Sequence, residues 1–262
     1  MKTRLKQLGL ALLTLVVVNL TAPITVAVEL AEIQKRGTLI VGVKDNVRPL
    51  GFRDDTGELQ GLEIQLAYQL AEALLGDRTA ITFVPVRNDE RLERLLTEEV
   101  DLVIAQMSAT KMRSRLVQFS RPYYFERTGF ITRNPQIQTY SDLAPLRIAM
   151  LQGSSAIASV RRTFPKATLV GVESYQAAAA KLEAGVVDVF AGDRAILTGW
   201  VQDEPDYFLA DAEISLGGAP LAVAMPKGQQ HSELFLAVNA TLQALKESGW
   251  LNAQYLLWGL AE

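Results

Sequence analysis

The chain has 262 residues, 49% of them hydrophobic, with 26 basic and 29 acidic side chains and a net charge of −3. That length suffices for one large or two ordinary domains with their own cores, and the balanced, dispersed charge excludes a broad nucleic-acid footprint. Cysteine is absent, which removes disulfides, thiolate metal sites, cysteine nucleophiles and a lipid-modified N-terminal cysteine.

Lys2, Arg4 and Lys6 precede an apolar run over residues 8–20, and the small residues Thr25 and Ala27 follow. This order predicts a secretory signal over 1–27 with cleavage after Ala27. The run is too short for a membrane anchor and contains Asn19. The mature chain is expected in the periplasm, without a lipid anchor.

A strand predicted over 38–43 opens an alternation of strands and helices. Asp54-Asp-Thr-Gly57 reads as a hairpin turn. Leu62, Leu66, Leu70 and Ala73 recur at helical spacing and Gly76 supplies a stop, so a helix is predicted over 62–75. A strand over 81–86, a helix over 90–98 and a short buried strand over 101–105 follow. After a polar stretch at 134–141 a second series begins, with strands at 147–150, 167–172 and 187–191 and helices at 155–164 and 177–185. A strand at 221–225, a turn at 226–228, a helix at 232–249 and an aromatic tail complete the chain. Asp101 and Asp188 each open a short apolar strand and are read as fixing turns.

Two such series with a late strand and helix imply an α/β protein of two lobes joined by more than one crossing. Ligands in open α/β sheets bind at the carboxyl ends of strands, which puts the expected site in the cleft between lobes. The lobes are predicted as 28–131 together with 224–262, and 132–223, bending near 130–134 and 220–225.

Leu39-Ile-Val-Gly-Val43, Gly61-Leu-Glu-Ile-Gln-Leu-Ala67, Val100-Asp-Leu-Val103 and Phe119-Ser-Arg-Pro-Tyr-Tyr124 stand in order in the first half. Leu151-Gln-Gly-Ser-Ser155, Ala184-Gly-Val-Val-Asp188 and Pro226-Lys-Gly228 follow in the second. From Leu39 onward the chain thereby resembles the amino-acid-binding proteins of bacterial ABC importers, solute-binding family 3. The resemblance implies a periplasmic-binding-protein type II fold, each lobe a mostly parallel sheet flanked by helices. It also implies a monomer that needs no cofactor or metal, takes a free amino acid, and delivers it to the permease subunits of an importer.

An amino-acid zwitterion needs a fixed cation for its carboxylate and a fixed anion for its ammonium, because burying either charge unpaired is costly. Arg113 lies in the loop Gln106-Met-Ser-Ala-Thr-Lys-Met-Arg113, which resembles the family's carboxylate-binding loop, and a guanidinium can hold a carboxylate through two parallel hydrogen bonds. In the same loop Ser108 offers its amide or hydroxyl and Gln106 a carbonyl for the ammonium. Backbone amides of Ser154 and Ser155 are expected to grip the carboxylate from the second lobe, with simple helix capping as the alternative. Asp193 matches the family's ammonium-binding carboxylate, or else is a helix cap.

Many relatives sandwich the ligand between aromatic rings, yet Val47 and Asn88 stand where those rings would be. Lys44, Arg91 and Tyr175 instead resemble the side-chain contacts of the glutamate/aspartate-binding branch. Acidic ligands are therefore expected first, glutamine or asparagine next and basic amino acids last. The competing reading is that Lys44 and Arg91 pair with Asp45, Asp89 or Glu90 at the surface. The single histidine, His231, is expected on the surface, and Glu63 as a helix-start residue, so no catalytic residues are predicted. A sensing module and a cleft enzyme such as a dehydratase are the rival functions.

Overall fold

A computed structural model describes residues 29–152, 154, 156–210 and 216–260. The expected signal over 1–27, Gly153 and Ser155 lie outside the described residues. Helix α1 (Leu30–Arg36) leads into β1 (Leu39–Val43), which lies parallel to both β5 (Ile81–Pro85) and β6 (Leu102–Ile104). Helices α2 (Leu62–Leu75) and α3 (Arg91–Leu96) make the crossovers. A small antiparallel sheet of β2 (Asn46–Val47), β3 (Gly51–Arg53) and β4 (Leu59–Gln60) precedes α2. The α2 bounds agree with the hydrophobic spacing, and Gly76 ends the helix in the left-handed region at φ 74°.

Two long strands run through the whole molecule. β7 (Gln118–Thr132) and β12 (Leu216–Met225) pair antiparallel, from Gln118 opposite Met225 to Thr128 opposite Leu216. At one end β12 also meets β6, with Ala224 opposite Val103. At the other, residues 128–131 of β7 pair with β10 (Val189–Asp193). Parallel to β10 runs β8 (Arg147–Leu151), and beyond it β9 (Thr168–Val172). Among the described residues the path β5-β1-β6-β12-β7-β10-β8-β9 is one continuous sheet, with β11 (Phe208–Leu209) attached to β7. Its halves form the sheets of the two lobes.

No strand was expected over 118–132, where Pro122 lacks a ladder donor. It lies opposite Ala222, beside shifts in register, and strands tolerate proline at such irregular places. Helices α4 (Tyr140–Leu143), α5 (Ile157–Thr163), α6 (Tyr175–Glu183) and α7 (Arg194–Asp203) cover the second lobe's sheet. The chain then returns through β12 to α8 (Ser232–Glu247) and α9 (Trp250–Leu257) on the first lobe, so the expected aromatic tail is helical.

Alternation along the strands sends side chains to opposite faces. In β6, Leu102 and Ile104 join the core under α2 and α8, while Val103 faces a second cluster with Leu95 and Val117. In β10, Val189 and Ala191 pack with Phe164, and Phe190 packs on the other face with Leu182 and Leu197. His231 is a correction: it is buried, because the tight turn Gln229–His231 runs straight into α8 and carries the ring inward. No helix among the described residues is long and apolar enough to cross a membrane.

Candidate functional site

The ends of β1, β5 and β6 bring three cationic side chains together. Lys44, immediately after β1, is only 6% exposed and donates from Nζ to the Val86 carbonyl at 2.9 Å. Arg91, the first residue of α3, is 5% exposed and donates from Nη1 to the carbonyls of Ala105 and Gln106, the latter at 3.1 Å. It thereby pins the start of the loop that carries Arg113. Burial, then the neighbouring Arg91, holds the Lys44 pKa below its ordinary value. Burial, then Arg113, lowers that of Arg91 to about 10.

The competing reading, surface pairing of Lys44 and Arg91, does not hold among the described residues. Asp45 pairs with Arg53, Asp89 with Arg87, and Glu90 with Arg87 and Arg94. Among the described residues, no ion pair engages Lys44, Arg91 or Arg113. Arg113 is half-buried and donates from Nη1 to the Ser108 carbonyl at 3.0 Å. Among the described residues its five-donor fork makes no other hydrogen bond. Ser108 lies against Leu221 of β12, which holds the loop to the crossing strands.

Beneath the cations sits Glu63, which sequence reasoning weighed only as a helix-start residue. Fully buried on the first turn of α2, it accepts at Oε1 from the Gln106 amide at 2.7 Å and from the Tyr123 hydroxyl at 2.5 Å. Burial pushes its pKa up, against those two hydrogen bonds and the nearby Arg91 and Lys44. Gln106 bends around this anchor with a positive φ of 52°. Its side-chain Nε2 crosses the cleft to Asp193 Oδ2 at 3.2 Å.

Asp193 ends β10 on the second lobe. It keeps a solvent-exposed surface, and the protein around it raises its pKa by desolvation. Its carboxylate does not cap α7, so the capping alternative fails. Tyr175 begins α6 with its ring edge-on to Phe190, and burial followed by the Asp193 charge pushes its phenol pKa up. Glu126 of β7, also 5% exposed, lies near Asp193. Burial and then that carboxylate raise its pKa to about 8.

Two expected contacts are not brought into this arrangement. The Ser154 amide donates to the Leu151 carbonyl at 3.1 Å and its hydroxyl accepts from the Ala156 amide at 3.2 Å, so the turn uses both itself. Asn88 is exposed on the loop after β5. Sequence reasoning missed Tyr123 and Glu126. Their only signal was a hydroxyl and an acid inside an otherwise strand-like run, and that strand was itself unread.

The family model for bacterial extracellular solute-binding proteins, family 3, matches residues 39–261. The chain is 29% identical over 233 residues to the ABC transporter glutamine-binding protein GlnH of Bacillus subtilis (strain 168), covering 87% of this chain and 84% of that one. It is 31% identical over 189 residues to the glutamine-binding protein of Geobacillus stearothermophilus, covering 71% and 72%. Among solved structures it resembles an ancestral cationic amino acid solute-binding protein, at a TM-score of 0.73 and 28% identity, covering 87% of this chain and 98% of that one. With a two-lobed sheet, a cleft lined by opposed charges and a family match over nearly all the described residues, the chain belongs to the bacterial extracellular solute-binding proteins, family 3.

Proposed function

We propose that this chain is exported by its leader, residues 1–27, and holds a free polar amino acid between its lobes for delivery to an ABC importer. Glutamate or aspartate is the favoured ligand and glutamine or asparagine the next. Arg113 and Ser108 receive the α-carboxylate, Asp193 and Gln106 the ammonium, and Lys44, Arg91 and Tyr175 the ligand's side chain. The observation that carries the acidic preference is that Lys44 and Arg91 are buried side by side while Asp45, Asp89 and Glu90 form their direct ion pairs with Arg53, Arg87 and Arg94.

Lys44 and Arg91 act on Glu63 beneath them, Arg113 stands beside Arg91, Asp193 lies across the cleft, and burial raises the Glu126 pKa to about 8. That leaves an excess of positive charge, which an acidic amino acid balances and an arginine would enlarge. Relatives named for glutamine support the neutral amide as the second choice. The cleft is read as a binding site without catalysis, since His231 belongs to the α8 start, Glu63 and Glu126 are spent on anchoring, and Asp193 is assigned to the ligand's ammonium.

Ligand bridging Arg113 with Asp193 would favour the closed arrangement, because only closure engages both. Calorimetric titration with a panel of amino acids tests the reading, with glutamate or aspartate expected to bind tightest. Tight arginine binding with no response to glutamate would sink the acidic assignment. Arg113→Ala is expected to abolish binding of every amino acid, and normal binding by that variant would overturn the ligand placement.

A further inference from the structure

Asp193 is the N-cap residue of α7, with φ −65° and ψ 119°. An aspartate there ordinarily turns its carboxylate back onto the amide of the second or third helical residue. Here the amide of Ala195, the second residue of α7, donates instead to Oε1 of Glu126 at 3.1 Å. The Arg127 amide donates to the same oxygen at 3.0 Å. Glu126 belongs to β7, opposite Ala219 of β12, in the stretch that passes between the lobes. The two elements come close because Gly129 pairs with Gly192, and a Cβ on Gly129 would lie 3.2 Å from the Arg194 Cα.

The cap of α7 is thus supplied from another strand, and the residue that would normally supply it is released. Its carboxylate accepts from Nε2 of Gln106 on the opposite lobe, a bond that a ligand's ammonium would displace. Glu126 holds this place although its second oxygen is buried with no hydrogen-bond partner among the described residues. A buried polar atom left unpaired is costly, which argues against a role in packing alone.

We infer that Glu126 is a positioning residue for amino-acid binding: by capping α7 in place of Asp193, it leaves the Asp193 carboxylate free to take the ligand's ammonium. The inference rests on the assignment of Asp193 proposed above. Its requirement is a hydrogen-bond acceptor, not a charge, so glutamine should serve and leucine should not. In the absence of Glu126, Asp193 would retract to cap its own helix.

The test compares wild type, Glu126→Gln and Glu126→Leu, with Glu126→Ala as a second acceptor-free variant should leucine misfold. Each is titrated with glutamate and with glutarate, which lacks the amine. Glu126→Gln should bind glutamate within about threefold of wild type, whereas Glu126→Leu should lose about tenfold or more, the scale set by a helix cap. Glutarate affinity should be the same in all. Equal losses for both ligands, or no loss for glutamate, would overturn the inference.

A readout without ligand separates this from the proposed function. Asp193→Ala should leave the melting temperature of wild type unchanged, yet lower that of Glu126→Leu by about 3 °C, because only there does Asp193 cap α7. The same effect in both backgrounds would overturn the capping role. If wild type ignored glutamate while this difference held, the ligand assignment would fail and the exchange of caps would stand.

Discussion

Glu126 titrates where few carboxyls do, and this makes it visible in stability as well as in binding. Its folded pKa of about 8 lies above the ordinary 4.5, so the folded chain holds a proton that the unfolded chain has released across that interval. Stability is therefore greatest below the unfolded value and declines as pH rises toward 8, by up to about 1.4 kcal/mol per pH unit. Glu126→Gln has no such proton to lose. Urea unfolding at several pH values between 5 and 8 should show the variant gaining on wild type as pH rises. A constant difference would mean that Glu126 is ionised in the fold. At this scale the sequence pointed to residues of telling chemical type, the Arg113 guanidinium in the loop after β6 and the Asp193 carboxylate at the end of β10, on opposite sides of the cleft. It concealed those whose job depends on distant partners. Glu63 reaches a backbone amide 43 positions away, and Glu126 one that lies 69 away, which no local pattern encodes.

The same strand-start device recurs in both lobes. Asp101, just before β6, accepts from the Ile40 amide at 2.8 Å and from Arg36. Asp188, just before β10, accepts from the Arg147 amide at 2.9 Å and from its guanidinium at 2.6 and 3.0 Å. Each aspartate ties the entry of its own strand to a neighbouring parallel one, which is more than the turn-fixing role expected. Burial separates their weights, with side-chain exposures of 1% for Asp101 and 27% for Asp188. Asp101→Ala should cost about 2–3 kcal/mol by leaving the Ile40 amide unpaired, and Asp188→Ala about 1 kcal/mol, where water can substitute. Equal losses in chemical denaturation would contradict the burial argument. Elements with sharp ends and clean periodicity, such as α2, were legible. β7 was not, because its pairing on both sides is decided by strands far away in sequence, and those override the local discouragement of Pro122.

The lobes also touch beyond the Gln106–Asp193 bridge. Arg48, beside β2, pairs with Asp203 at the end of α7 at 3.4 Å and lies over the Phe52 ring. Gly199 makes this approach possible, since a Cβ there would fall 2.5 Å from the Arg48 carbonyl oxygen. Gly199→Ala should leave α7 intact or slightly firmer, because alanine favours helix. It should nevertheless hold the lobes apart. The expected outcome is a larger radius of gyration at saturating ligand and an affinity reduced by about tenfold, with no ligand-contacting residue altered. Unchanged scattering and affinity would show that this contact does not limit closure.

β12 lies between β6 and β7, with Ala224 paired to Val103 and to Phe119. The middle of the first lobe's sheet is therefore completed by residues that come after the whole second lobe. A chain emerging N-terminus first holds β1, β5 and β6 with an unfilled edge until the last part of the polypeptide arrives, whereas the strands β8, β9 and β10 are contiguous enough to assemble earlier. Contacts this distant in sequence slow folding. Such an order delays the compact state until synthesis is nearly finished, and it keeps the chain threadable for as long as a passage across a membrane would require.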